Sequence, residues 1–124
     1  YFFAILNPKD GAHQRTIEYA ARYAVPIVTT AWVLTELADG LAVTAHRSAF
    51  GRLVARIRAE PENEIVGPSG ELMDRGIALY DSRPDKRWSL TDCISFVVMQ
   101  ERGITDALTG DHHFEQAGFN VLLK

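Results

Sequence analysis

Short apolar runs alternate with longer segments of helical spacing, and this alternation restricts the fold more than any other feature of the chain. The runs are Tyr1 to Leu6, Pro26 to Thr29, Glu64 to Val66, Ile104 to Thr109 and Asn120 to Leu123. Each is too short for a stable helix and suits a strand. Between them, apolar residues recur every three or four positions. Ile17, Ala20 and Ala21 mark an inward face for a helix over His13 to Tyr23. Phe50, Leu53, Val54 and Ile57 do so over Ser48 to Arg58, and Leu72, Met73, Ile77 and Tyr80 over Ser69 to Tyr80. Thr30 caps a further helix from Ala31 to about Ala38, which Gly40 helps end. Asn7 to Gly11 is turn chemistry. Strand and helix in strict succession predict an α/β domain: a parallel sheet with helices packed outside it.

The last such unit is the most informative. Ser89 can cap a helix, and Asp92 stands three residues later, as in a capping box. Leu90, Cys93, Ile94, Val97 and Val98 then form an apolar face, and Gly103 stops the helix. Asp111 opens one more helical turn after a short strand. Carboxylates therefore stand where strands end and helices begin, the place at which open α/β sheets bind ligands.

The chain has 124 residues and a net charge of −3. That length suits one domain with a single core, and the charge argues against a broad nucleic-acid-binding surface. No apolar run approaches the roughly 20 residues of a membrane span. The single cysteine, Cys93, forms no internal disulfide and no paired-cysteine zinc site, so a cytoplasmic setting is expected. There is no Walker A motif and no evident nucleophilic triad.

Four acids can carry chemistry: Glu36, Asp92, Asp106 and Asp111. Each also has an ordinary reading. Asp92 favours a helix dipole, Asp111 serves as an N-cap, and Asp106 and Glu36 lie in solvent. Gathered at one edge of a sheet, however, they would repel one another, and Mg²⁺ or Mn²⁺ would relieve that repulsion with oxygen ligands. Glu36 is near enough to Thr30 to reach that edge. Thr91 and Thr109 flank the acids and support turns or orient water. His112 and His113 are expected at the surface or at the rim of a cleft. Arg83, Lys86 and Arg87 form either a solvated loop or an electropositive lip for phosphates. Arg47, Arg52, Arg56 and Arg58 carry the same pair of readings, as a solvated face or a phosphate-contacting strip.

The ordered set of Ser89-Leu90-Thr91-Asp92, Thr109-Gly110-Asp111-His112-His113-Phe114 and Glu36 resembles the PIN-domain ribonucleases, which include the toxins of bacterial toxin–antitoxin pairs. The resemblance spans nearly the whole chain, read as one PIN-like domain over residues 1–124. It implies a three-layer α/β/α sandwich with a mainly parallel central sheet and a metal-dependent endoribonuclease site using Mg²⁺ or Mn²⁺. Glu36, Asp92 and Asp111 would be the catalytic and metal-binding acids, with Asp106 as an auxiliary ligand. It also implies an RNA substrate, a cognate antitoxin and a homodimer. The family's first acid ends its first strand, and Tyr1 to Ala4 resembles the segment immediately after that motif, so an aspartate is expected just upstream of Tyr1. Two alternatives stay open: a PIN nuclease of RNA maturation or decay without an antitoxin, and a non-catalytic α/β binding module.

Overall fold

The computed structural model describes residues 3–8 and 13–123. Tyr1, Phe2 and most of the expected turn, Lys9 to Gly11, lie outside them. The order is β1 (Ala4–Leu6), α1 (His13–Arg22), β2 (Ile27–Thr30), α2 (Ala31–Leu41), α3 (Ala49–Ala59), β3 (Glu64–Val66), α4 (Gly70–Ser82), α5 (Leu90–Arg102), β4 (Asp106–Leu108), α6 (His112–Gln116) and β5 (Asn120–Val121). The five strands form one sheet in the order β3-β2-β1-β4-β5. Every pair is parallel.

The central strands are buried on both faces, which is why they read as unbroken apolar runs. Their residues alternate between two cores. Ile5, Val28 and Ala107 face a core built with α4, α5 and α6, while Ala4, Leu6, Ile27 and Leu108 face one built with α1, α2 and α3. The molecule is thus the expected three-layer α/β/α sandwich. Among the described residues, no helix is long and apolar enough to cross a membrane.

Caps explain most helix ends. The Thr30 hydroxyl accepts from the Val33 amide at 3.1 Å, and that of Ser69 from the Leu72 amide at 3.2 Å. Gly103 closes α5 in the left-handed conformation, and the amide of Ile104 donates back to the Met99 carbonyl at 2.9 Å. This ending needs φ > 0, which glycine adopts without a Cβ penalty. Gly40 does not end α2, which runs on to Leu41 because Leu41 is buried beside Leu37.

Three expected faces differ. In α4, Ile77 and Tyr80 are exposed, and Gly76 is buried in their place. A Cβ at Gly76 would stand 2.4 Å from Cγ1 of Ile94. α4 therefore docks on α5 backbone-close along Leu72, Gly76 and Leu79, and Ile77, one step around the helix, turns outward. In α1, Ala21 is exposed and Thr16 is buried, its hydroxyl donating to the His13 carbonyl at 2.7 Å. In α5, every residue from Asp92 to Met99 is buried rather than one stripe, since the sheet covers one side and neighbouring helices the others.

Candidate active site

In an all-parallel sheet every strand ends at the same edge. Asn7, Thr30 and Thr109 follow or close β1, β2 and β4 there, and α2 and α5 start there. Asn7 is buried, and its Nδ2 has no hydrogen-bond partner among the described residues. The aspartate expected upstream of Tyr1 lies outside the described residues.

Asp92 occupies the third position of α5. Its amide donates to the Ser89 hydroxyl at 3.0 Å, and its Oδ2 accepts from the Ser89 amide at 3.3 Å. The expected capping box is complete, and it fixes the carboxylate at the positive end of the helix dipole. Asp92 is nevertheless only 3% exposed.

Asp111 caps α6. Its Oδ1 accepts from the His113 amide at 2.9 Å, and its own amide donates to the Thr109 hydroxyl at 3.2 Å. Thr109 is buried and supports this turn. The turn brings His113 round to the acids. Its Nδ1 lies 3.2 Å from Oδ1 of Asp111 and 3.4 Å from Oδ2 of Asp92. His113 Nδ1 is a buried atom with no hydrogen-bond partner among the described residues. His112 is exposed, as expected, with Nδ1 3.8 Å from Asp111. Asp111, His112 and His113 offer ligand atoms within 4.8 Å of one another.

Glu36 stands on the outer side of α2. It lines a cavity of about 480 Å³ with Thr35, Asp39, Pro68 and Thr91, so it shares a pocket with the residue preceding Asp92. Asp106 does not join the group. It is the first residue of β4, at the amino edge of the sheet, and its carboxylate accepts from Asn120 Nδ2 at 3.1 Å. The apolar run in the sequence starts this strand at Ile104, two residues early, which puts Asp106 too close to the carboxyl edge.

Arg83, Lys86 and Arg87 line a cavity of about 920 Å³ that also touches Ser89, the partner of Asp92 in the capping box. Arg83 is committed elsewhere: it holds both oxygens of Asp85 at 3.0 Å and lies over the Trp88 ring. Hydrogen bonding to Arg83 keeps the Asp85 carboxyl below its ordinary range. Lys86 and Arg87 remain as the cationic side chains of that rim.

The Cys93 thiol is pushed up to about 11, first by burial and then by the charge of Asp92. It is an inert core group. The contribution that sequence reasoning undervalues is that of His113. Its signal is Phe114: a fully buried aromatic in so short a helix leaves its neighbours little freedom. Phe114 packs edge-on against Phe96 at 4.9 Å, and Trp88 Nε1 donates to Gln116 Oε1 at 3.1 Å, which docks α6 onto α5.

The donor set fits a hard divalent ion. Asp92 and Asp111 each bring a carboxylate oxygen to within 3.4 Å of the buried His113 Nδ1, and Glu36 borders the cavity that Thr91 also lines.

No family model matches the sequence, and neither does any curated protein. The structure does match that of a known protein. The chain has a PIN-like α/β/α fold. One crystal structure it resembles is that of Mycobacterium tuberculosis VapC20, a sarcin-ricin-loop-cleaving toxin, with a TM-score of 0.76. The match covers 94% of this chain and 95% of that one, at 22% sequence identity.

Proposed function

We propose that this chain is a metal-dependent endoribonuclease of the PIN type, the toxin of a toxin–antitoxin pair, acting in the cytoplasm. The observation that carries the reading is the meeting of Asp92 and Asp111 around His113 at the carboxyl edge of a VapC-like sheet. VapC20 itself cleaves the sarcin-ricin loop; here the proposed substrate is single-stranded or structured RNA, without a named site.

Asp92 and Asp111 would hold Mg²⁺ or Mn²⁺, with Glu36 reaching in from α2. When bound, such an ion acidifies water and neutralises charge on a phosphoryl oxygen. The chain's own residues set the rest. The capping box and the positive end of the α5 dipole hold the Asp92 carboxylate in place. Thr109 fixes the turn that aims Asp111. Thr91, on the wall shared with Glu36, can orient water toward the phosphate. Lys86 and Arg87 give RNA phosphates a cationic rim beside an acidic site that would otherwise repel them. The toxin reading brings with it a cognate antitoxin and a homodimer, and exposed Ile77 and Tyr80 on α4 supply apolar surface for a partner.

The test is cleavage of end-labelled single-stranded and hairpin RNAs with Mg²⁺, with Mn²⁺ and after chelation. Cleavage that needs the metal and disappears in Asp92→Asn supports the reading. Cleavage that survives chelation, or is retained in that variant, ends it.

A further inference from the structure

We infer that His113 is a nitrogen ligand of this metal centre and makes it prefer Mn²⁺ over Mg²⁺. The inference rests on the metal site proposed above and concerns which ion that site takes.

The geometry comes first. Donors about 2.1 Å from a shared ion stand about 3.0 Å apart along an octahedral edge and about 3.4 Å apart along a tetrahedral one. The separations from His113 Nδ1 to Asp111 Oδ1 and Asp92 Oδ2 are 3.2 and 3.4 Å. Each separation, taken as a pair, is one that two neighbouring ligands of an ion can have. They do not describe a hydrogen-bonded pair, because Nδ1 is buried and has no hydrogen-bond partner among the described residues.

The imidazole is also held in place. The His113 amide donates to the same Asp111 carboxylate that its ring approaches, so one residue grips the ligand from both sides. The next residue, Phe114, is fully buried against Phe96. His112 has neither restraint, being exposed and farther from the acids.

The preference comes from the donor. Mg²⁺ takes oxygen ligands in near-ideal octahedra and gives up water reluctantly. Imidazole suits the transition ions, whose affinity for nitrogen exceeds that of Mg²⁺. A site of two or three carboxylates and one imidazole therefore binds Mn²⁺ more tightly than carboxylates alone would.

The experiment is calorimetric titration of Mn²⁺ and Mg²⁺ into the unmodified chain and into the variants His113→Gln, His112→Gln and Asp92→Asn. Pulsed electron paramagnetic resonance of bound Mn²⁺ accompanies it, and circular dichroism verifies each fold. The unmodified chain should show ¹⁴N coupling to Mn²⁺. His113→Gln should lose that coupling and about tenfold in Mn²⁺ affinity, with Mg²⁺ affinity changed far less. His112→Gln should keep both. If Mn²⁺ on the unmodified chain shows no ¹⁴N coupling, or if the coupling is lost with His112 instead, the inference is overturned. In either case the carboxylate site stands as long as Asp92→Asn loses both ions. If Asp92→Asn binds them as the unmodified chain does, the metal site itself is refuted and the inference goes with it.

Discussion

Oδ2 of Asp92 accepts from the Ser89 amide at 3.3 Å while lying 3.4 Å from Nδ1 of His113. One oxygen thus serves the start of α5 and also faces the residue that α6 turns toward it. Local helix chemistry and the candidate site are joined at this atom, so changes to Asp92 have to be read for both.

Asp92→Asn should remove metal binding and RNA cleavage while leaving the fold intact. The amide oxygen can still accept from Ser89, so the box survives. Loss of the charge costs about 0.3–1 kcal/mol of helix-dipole interaction. Relief of the repulsion from Asp111 and of the desolvation of a buried charge offsets this. The melting temperature should move by only a few degrees in either direction. A cooperative melt retained alongside lost cleavage meets the expectation, and an unfolded variant contradicts it.

Asp106→Asn should behave differently from Asp92→Asn. Asp106 is at the amino edge, bonded to Asn120. Cleavage rate and Mn²⁺ affinity should stay within about twofold of the unmodified chain, since the length of β4 separates it from the carboxyl edge. A tenfold loss of either would place Asp106 in the metal site after all.

Gly76→Ala should destabilise the chain despite the better helix propensity of alanine. The added Cβ meets Ile94 Cγ1 at 2.4 Å, near the root of a packed side chain. Propensity favours alanine by about 1 kcal/mol, and overpacking costs about 1–3 kcal/mol. Urea melts should show a lower midpoint with an unchanged slope. A raised midpoint would mean that α4 and α5 separate easily.

Ala24 and Gly103 give a matched pair at two helix ends. Both residues have positive φ, 49° and 67°. For alanine that backbone costs about 1–2 kcal/mol. Ala24→Gly should therefore stabilise and Gly103→Ala destabilise, each by about 1 kcal/mol, as denaturant melts would show. Changes of the same sign would defeat this account.

Stability at high pH should depend on Cys93. The unfolded thiol ionises near its ordinary value of 9.0, whereas the native one holds its proton until about 11. Between these values the unfolded chain binds fewer protons than the native one, so stability falls as pH rises. The contribution is complete below about pH 9 and lost by about pH 11. Cys93→Ala should flatten the fall over that window, as unfolding free energies measured at successive pH values would show. The same burial should leave the native thiol unreactive toward alkylating reagents at pH 8.

The caps and the strand–helix alternation are legible in the chain because they depend on neighbours in sequence. Ser89 and Asp92 form their box, Thr30 caps α2, and Gly103 ends α5 through bonds that span only a few residues. The buried strands announce themselves because both faces of a parallel sheet must be apolar. The sequence thereby determined the elements, the layered class, and which acids stand at helix starts. Tertiary structure decided which of those acids meet. Setting β1 between β2 and β4 brings the start of α5 beside the turn after β4, and Asp92 beside Asp111. It also turned Ile77 and Tyr80 outward, because the missing Cβ of Gly76 let α5 approach a face that periodicity does not mark. His113 reads as a rim residue in the sequence for the same reason. The direction of an imidazole in a five-residue helix is set by what anchors that helix, and here the anchor is Phe114 against Phe96, a contact between residues far apart in the chain.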